Sequence, residues 1–149
     1  MAVRDATGGK GAGRVQLGDF EGRWTLSRRI EDRLTGTEAR FSGEAVLRPV
    51  PGGLAYREEG LLQLAGAPAL TAVRDYLWRE VAGRIVVAHG DGRPFHDFDP
   101  ADPVARHWCD PDDYRVRYDF AGWPAWRAEW VVKGPRKDYT MWSGYSPAA

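Results

Sequence analysis

Cysteine is almost missing from this chain: Cys109 stands alone among 149 residues, so an intramolecular disulfide is excluded and a reducing compartment is the natural setting. Charge of one sign is missing too. The 21 basic and 21 acidic residues cancel, leaving no long-range field to draw the protein to nucleic acid or to an anionic membrane, and neither is expected as a partner. No apolar run approaches the ~20 residues of a membrane-spanning helix, and the N-terminus lacks the apolar core of a signal peptide. The expectation is a soluble, cytoplasmic protein. Lysine is scarce, so the basic residues are almost all arginine, which suits planar pairing with carboxylates and stacking on aromatic rings. Helical periodicity is absent from the whole body of the chain.

What is present is a period of two. Met1 to Gln16 holds glycines among small and charged residues and reads as a disordered tail, residues 1–16, ahead of one domain, residues 17–149. Its Gly-Gly-Lys-Gly-Ala-Gly stretch is not a phosphate loop, because Lys10 is not followed by Ser or Thr and no strand precedes it. Leu17 to Glu21 is expected as one helical turn plugging a barrel floor. From Arg23 onward Trp24, Leu26, Ile30 and Leu34 alternate with polar residues, and Ala39, Phe41, Gly43, Ala45 and Leu47 repeat the pattern after a turn at Thr35-Gly36. Pro51-Gly52-Gly53 and Asp91-Gly92 mark further reversals. The remaining strands are expected at about 54–64, 70–81, 84–89, 94–98, 105–109, 114–120, 126–133 and 137–145. About ten strands joined by short turns predict an all-β fold: a single closed, antiparallel, up-and-down β-barrel. An immunoglobulin-like sandwich is the alternative.

Charged residues on the inward rows mark the candidate site. Arg28 is in phase with Trp24 and Leu26; Tyr56 and Glu58 share the row of Leu54; Arg74, Tyr76 and Trp78 share the row of Leu70. A buried unpaired charge costs several kcal/mol, about the scale of a whole domain's stability, so such a set needs a reason. In one reading Arg28, Arg74 and Tyr76 receive a carboxylate-bearing ligand while Glu58 orients an arginine or exchanges a proton. In the other, Glu58 pairs with Arg28 or Arg74 and the network fills the barrel.

His96, His107 and Cys109 form a second set. His107 and Cys109 lie two apart on one strand face and His96 is a possible third ligand, but a small buried thiol with hydrogen-bonded imidazoles is the simpler reading, and no metal site or cofactor is assigned. A Cys-His nucleophile stays open. Tyr118, Trp126, Trp130, Tyr139, Met141 and Tyr145 are placed to line or to fill a cavity.

Gly22-Arg23-Trp24 is similar to the first-strand Gly-x-Trp of the lipocalin superfamily, and Asp113-Tyr114 with Tyr118 resembles a degraded Thr-Asp-Tyr region. Arg136 sits where the superfamily's late arginine stacks on that tryptophan. The resemblance implies a lipocalin-like (calycin) barrel closed at one end by Gly22, Trp24 and Arg136. Over residues 17–146 the chain more closely resembles an uncharacterised bacterial family, DUF6314, through Phe20-x-Gly22-x-Trp24, Tyr56-x-Glu58-x-Gly60, Arg74-x-Tyr76-x-Trp78, Asp91-Gly92-Arg93-x-Phe95-His96, His107-x-Cys109 and Gly134-Pro135-Arg136-Lys137-Asp138-Tyr139.

The function expected is binding of a small, partly apolar, anionic ligand inside the barrel, with Arg28, Glu58, Arg74, Tyr76, Trp78, His96, His107, Tyr118 and Tyr139 as contacts. The alternatives are an enzyme in the same cavity, similar in residue inventory to phenolic-acid decarboxylases, and a haem-binding barrel with His96 or His107 as axial ligand. General acid chemistry requires Glu58 to have a raised pKa. A homo-oligomer is compatible with the chain.

Overall fold

The computed structural model describes residues 15–149. Val15, within the expected tail, is buried at 2% exposure and packs in the core. Residues 1–14 of the expected tail lie outside the described residues.

A single 3-10 turn, Leu17–Phe20, leads into ten strands: β1 Gly22–Asp32, β2 Thr37–Val50, β3 Gly53–Leu64, β4 Leu70–Val81, β5 Arg84–His89, β6 Pro94–Phe98, β7 Val104–Cys109, β8 Asp112–Asp119, β9 Trp126–Gly134 and β10 Lys137–Pro147. All pairings are antiparallel and form one sheet in the order β6-β5-β4-β3-β2-β1-β10-β9-β8-β7. β10 folds back onto β1, and β6 and β7 lie side by side at the seam without a ladder. The result is a nearly closed, ten-stranded, lipocalin-like barrel. Rings close the seam: Phe95 meets His107 at 5.3 Å between centroids, and Phe98 meets Tyr118 at 4.4 Å. Among the described residues no helix is long and apolar enough to cross a membrane.

The alternation read from sequence is the burial pattern observed. Trp24, Leu26 and Arg28 of β1 point inward and are buried, as do Phe41, Ala45 and Leu47 of β2 and Leu54, Tyr56 and Glu58 of β3. Leu34 departs from the expectation: it is 55% exposed, because β1 stops at Asp32, whose Oδ1 accepts from the amides of Leu34 and Thr35 and reverses the chain.

Two features of the wall position the site. Gly43 of β2 and Gly60 of β3 face each other in register; a Cβ on either would lie 2.2 Å from a carbonyl oxygen of the other strand, so only glycine permits this close approach where the sheet curls. Strand length differs around the barrel as well. β4 pairs with β5 only from Tyr76 to Val81, so Arg74 stands just beyond the end of β5, at the lip of the open end.

The other end is closed. Gly22, at φ +133°, lets the chain turn from the floor into β1, a conformation that favours glycine. Phe20 is fully buried there, and the indole Nε1 of Trp24 donates to the Phe20 carbonyl at 2.9 Å, tying the 3-10 turn across the base. Trp24 packs on Trp123 and Trp126. Arg136 takes no part. It lies in the β9–β10 turn, and β10 runs from there to Pro147, the partner of Trp24. Ten residues of strand separate the two, about 33 Å. The expected arginine over tryptophan is therefore corrected: the latch is a hydrogen bond and a cluster of rings.

Candidate functional site

Strand alternation sends one row from each strand into the barrel, and these rows line a cavity of about 600 Å³, measured to its open mouth and so including solvent-exposed space, of which about 70 Å³ admits the centres of water molecules. That interior space suits about five waters or one small ring. All six tyrosines of the chain line it. Eight of the nine contacts expected from sequence do so too: Arg28, Glu58, Arg74, Tyr76, Trp78, His96, Tyr118 and Tyr139. His107 does not. It sits in an adjoining recess at the mouth with His89, Arg93, Cys109 and Lys137.

The deepest charges are already paired. Arg28 Nη1 and Nη2 donate to Glu58 Oε2 and Oε1 at 2.6 and 2.9 Å, a bidentate fork. Arg28 Nε donates to Ser143 Oγ at 2.7 Å, and the Tyr56 hydroxyl donates to Glu58 Oε1 at 2.6 Å. Tyr145 is 2.8 Å from the Tyr56 hydroxyl and donates to it, since the Tyr56 proton is already committed. Burial alone would raise the Glu58 pKa, yet the bonds and charge of Arg28 hold it below the ordinary value. Glu58 is thus a carboxylate at neutral pH and not the general acid that the decarboxylase-like alternative required. Burial drives the phenols the other way: the Tyr145 pKa is pushed up to about 12 and that of Tyr56 well above the ordinary range. The Arg28–Glu58 pairing expected in one of the two readings is observed, while the barrel around it keeps a cavity.

Arg74 is different. It is cross-strand neighbour to Glu58, yet the carboxylate turns to Arg28, and among the described residues no carboxylate lies within ion-pair distance of Arg74. The residue is solvent-accessible at the lip but crowded enough for burial to oppose its charge; Tyr76 and Glu58 more than offset this and raise its pKa. Tyr76 and Tyr139 stand beside it, and burial raises the Tyr139 pKa as well. Lys137, across the mouth, is occupied by Tyr114 at 2.8 Å and Asp112 at 3.1 Å.

His96 faces the seam. Its Nε2 lies 2.8 Å from the Tyr118 hydroxyl, its ring packs edge-on to Phe95 and Trp130, and burial lowers its pKa to about 3, so it is neutral at physiological pH. Ligation of a haem iron through Nε2 would cost His96 its bond to Tyr118. His96, His107 and Cys109 do not form a ligand set: His96 is buried in the cavity, Cys109 is exposed, and no three candidate metal-ligating side chains group together among the described residues.

Sequence reasoning left Tyr56, Tyr114 and Phe95 out of the contact set. Tyr56 shares the row of Glu58, and Tyr114 lies four residues from Tyr118 on β8, so period two extended along each row would have found both. Phe95 has no such signal. It follows Pro94 at a β-bulge between Val87 and Ala88 of the paired strand, where alternation fails, and both Phe95 and His96 line the cavity.

Residues 20–147 match the profile of a family described as Family of unknown function (DUF6314). The chain belongs to this family. No curated protein matches it. Among solved structures it is similar to the S-type phycobiliprotein lyase CPES from Guillardia theta, with a TM-score of 0.65, 9% identity, and coverage of 93% of this chain and 96% of that one. At that identity the likeness of the DUF6314 chain to the lyase concerns the fold alone.

Proposed function

We propose that this DUF6314 protein binds a small, partly apolar ligand bearing one carboxylate, held inside the barrel with its acidic group at the lip. Arg74 carries the reading: it is a guanidinium at the cavity with no carboxylate among the described residues to pair with, flanked by Tyr76 and Tyr139 as hydrogen-bonding hydroxyls. The apolar body of the ligand lies against Phe95, Trp130 and Met141, which line the same cavity. Arg28 and Glu58, paired to each other, form a neutral wall of the site. The fold shared with the phycobiliprotein lyase is compatible with a small-molecule partner.

Isothermal titration of aromatic and fatty carboxylates against the matching alcohols tests this. A carboxylate is expected to bind at least tenfold more tightly than its alcohol, and Arg74→Ala to abolish that difference. Equal affinity for acid and alcohol, or an unchanged acid affinity in Arg74→Ala, would sink the proposal.

A further inference from the structure

The cavity has a second polar end. Among the buried side-chain nitrogens and oxygens of the described residues, three have no hydrogen-bond partner there: Nε1 of Trp78, Nε1 of Trp126 and Nδ1 of His96. All three residues line the cavity. They also share one level of the barrel: Trp78, Val87 and His96 are consecutive partners across β4, β5 and β6, and the Trp126 ring meets the Trp78 ring at 6.2 Å. Over nine in ten buried polar groups are satisfied in folded proteins, so three unsatisfied ones in one layer of one cavity need a common reason.

Their chemistry is specific. The two indoles are donors only, and His96 Nδ1 is a third donor if Tyr118 gives its proton to Nε2, or an acceptor if it does not. In both tautomers at least two N–H groups are without an acceptor. Resting on the proposed carboxylate site, we infer that the ligand carries an oxygen at the end opposite its carboxylate, received by the Trp78 and Trp126 indoles and His96.

The spacing narrows the class. Arg74 and Trp78 lie on the same face of β4, four residues and about 13 Å apart along the strand. Side chains reaching in from both levels leave length for one aromatic ring and a short linker, in keeping with the small interior volume. The ligand is therefore an aryl acid with a hydroxyl, ether or carbonyl oxygen on the far side of its ring. A hydroxyl serves both tautomers, since it donates one proton and accepts on two lone pairs.

Tryptophan fluorescence titration of the intact protein with cinnamate, 4-hydroxycinnamate, 4-methylcinnamate and cinnamyl alcohol separates the two ends. The 4-hydroxy acid is expected to bind at least tenfold more tightly than the 4-methyl acid, its near-isostere without an acceptor. In Trp78→Phe that preference should shrink at least threefold while cinnamate affinity changes less. Equal or tighter binding of the 4-methyl acid by the wild-type protein overturns the inference and leaves the carboxylate site standing. Equal binding of cinnamate and cinnamyl alcohol overturns the carboxylate site, and failure of all four to bind at millimolar concentration overturns both.

Discussion

At the closed end of the barrel Phe20 meets the rings of Trp78, Phe120, Trp123 and Trp126 at centroid distances between 5.0 and 5.5 Å, a cluster of which Trp78 and Trp126 also line the cavity. At the open end Tyr76 and Tyr139 stand around Arg74, which is accessible and, among the described residues, has no acidic partner. Both ends rely on aromatic side chains. They differ in what the rings surround: a carbonyl and other rings at the floor, the Arg74 guanidinium at the lip. On the proposed reading stability concentrates at the floor and recognition of the carboxylate at the mouth, with the Arg28–Glu58 pair between them belonging to the stable part.

The largest effects should come from the floor and from that pair. Phe20→Ala removes a fully buried ring from the centre of the cluster and is expected to cost about 3–5 kcal/mol, read as the midpoint of urea unfolding. Glu58→Gln strands the Arg28 guanidinium in the interior and is expected to cost a similar amount, about 3–5 kcal/mol. Replacing both members, Arg28→Met with Glu58→Leu, should cost far less than Glu58→Gln, since no buried charge remains. Arg74→Ala, at the lip, should stay within about 0.5 kcal/mol of wild type. A large loss of stability in Arg74→Ala, or a mild one in Phe20→Ala, would erase the division between the two ends.

Much of the floor is legible in the sequence and little of the pairing is. Period two along β1 to β4 places Trp24, Arg28, Glu58 and Arg74 inside, because a half-buried strand has only two faces to choose from. Phase does not say which inward charge meets which. Arg74 is opposite Glu58 in register, and nothing local indicates that the carboxylate will reach across to β1 instead. The unpaired state of Arg74, on which the proposed site rests, is for that reason a property of the folded barrel. Arg136 is a different failure. Counting hairpins from Trp24 shows β10 ending, not beginning, beside β1's first residues, so strand direction alone puts Arg136 at the open end; the family resemblance obscured a placement that the turns already contained.

A smaller effect separates the buried imidazole from the half-buried ones. His96 titrates near 3 in the folded protein and near its ordinary 6.5 when unfolded. As pH falls below 6.5 the unfolded chain takes up a proton that the folded one refuses, so stability fully present above 6.5 is lost progressively down to about 3. Glu58, also lowered, adds to the loss only below its ordinary 4.5, which leaves the interval from 6.5 to 4.5 to His96. His89 shifts in the same direction at the rim and is removed by working in a His89→Gln background. Unfolding free energy there should fall by about 1.4 kcal/mol per pH unit, and His96→Phe should flatten the slope whatever it does to the absolute value. An unchanged slope in that variant would mean that His96 is not the group held neutral at the seam.

The smallest effect is an expected absence at the open end set against a measurable loss at the closed one. Trp24→Phe keeps an aromatic ring but deletes the donor to the Phe20 carbonyl, leaving a buried acceptor unsatisfied at a cost of about 1–3 kcal/mol. Arg136→Ala touches a turn some 33 Å away by strand count and should shift stability by less than about 0.5 kcal/mol. If a cation closed this barrel as the lipocalin resemblance implies, the two variants would weaken it together, and Arg136→Ala would be non-additive with Trp24→Phe in the double variant. If Phe20 and the indoles close it, the double variant matches Trp24→Phe alone, and the first-strand Gly-x-Trp serves in this family as an anchor for the floor turn.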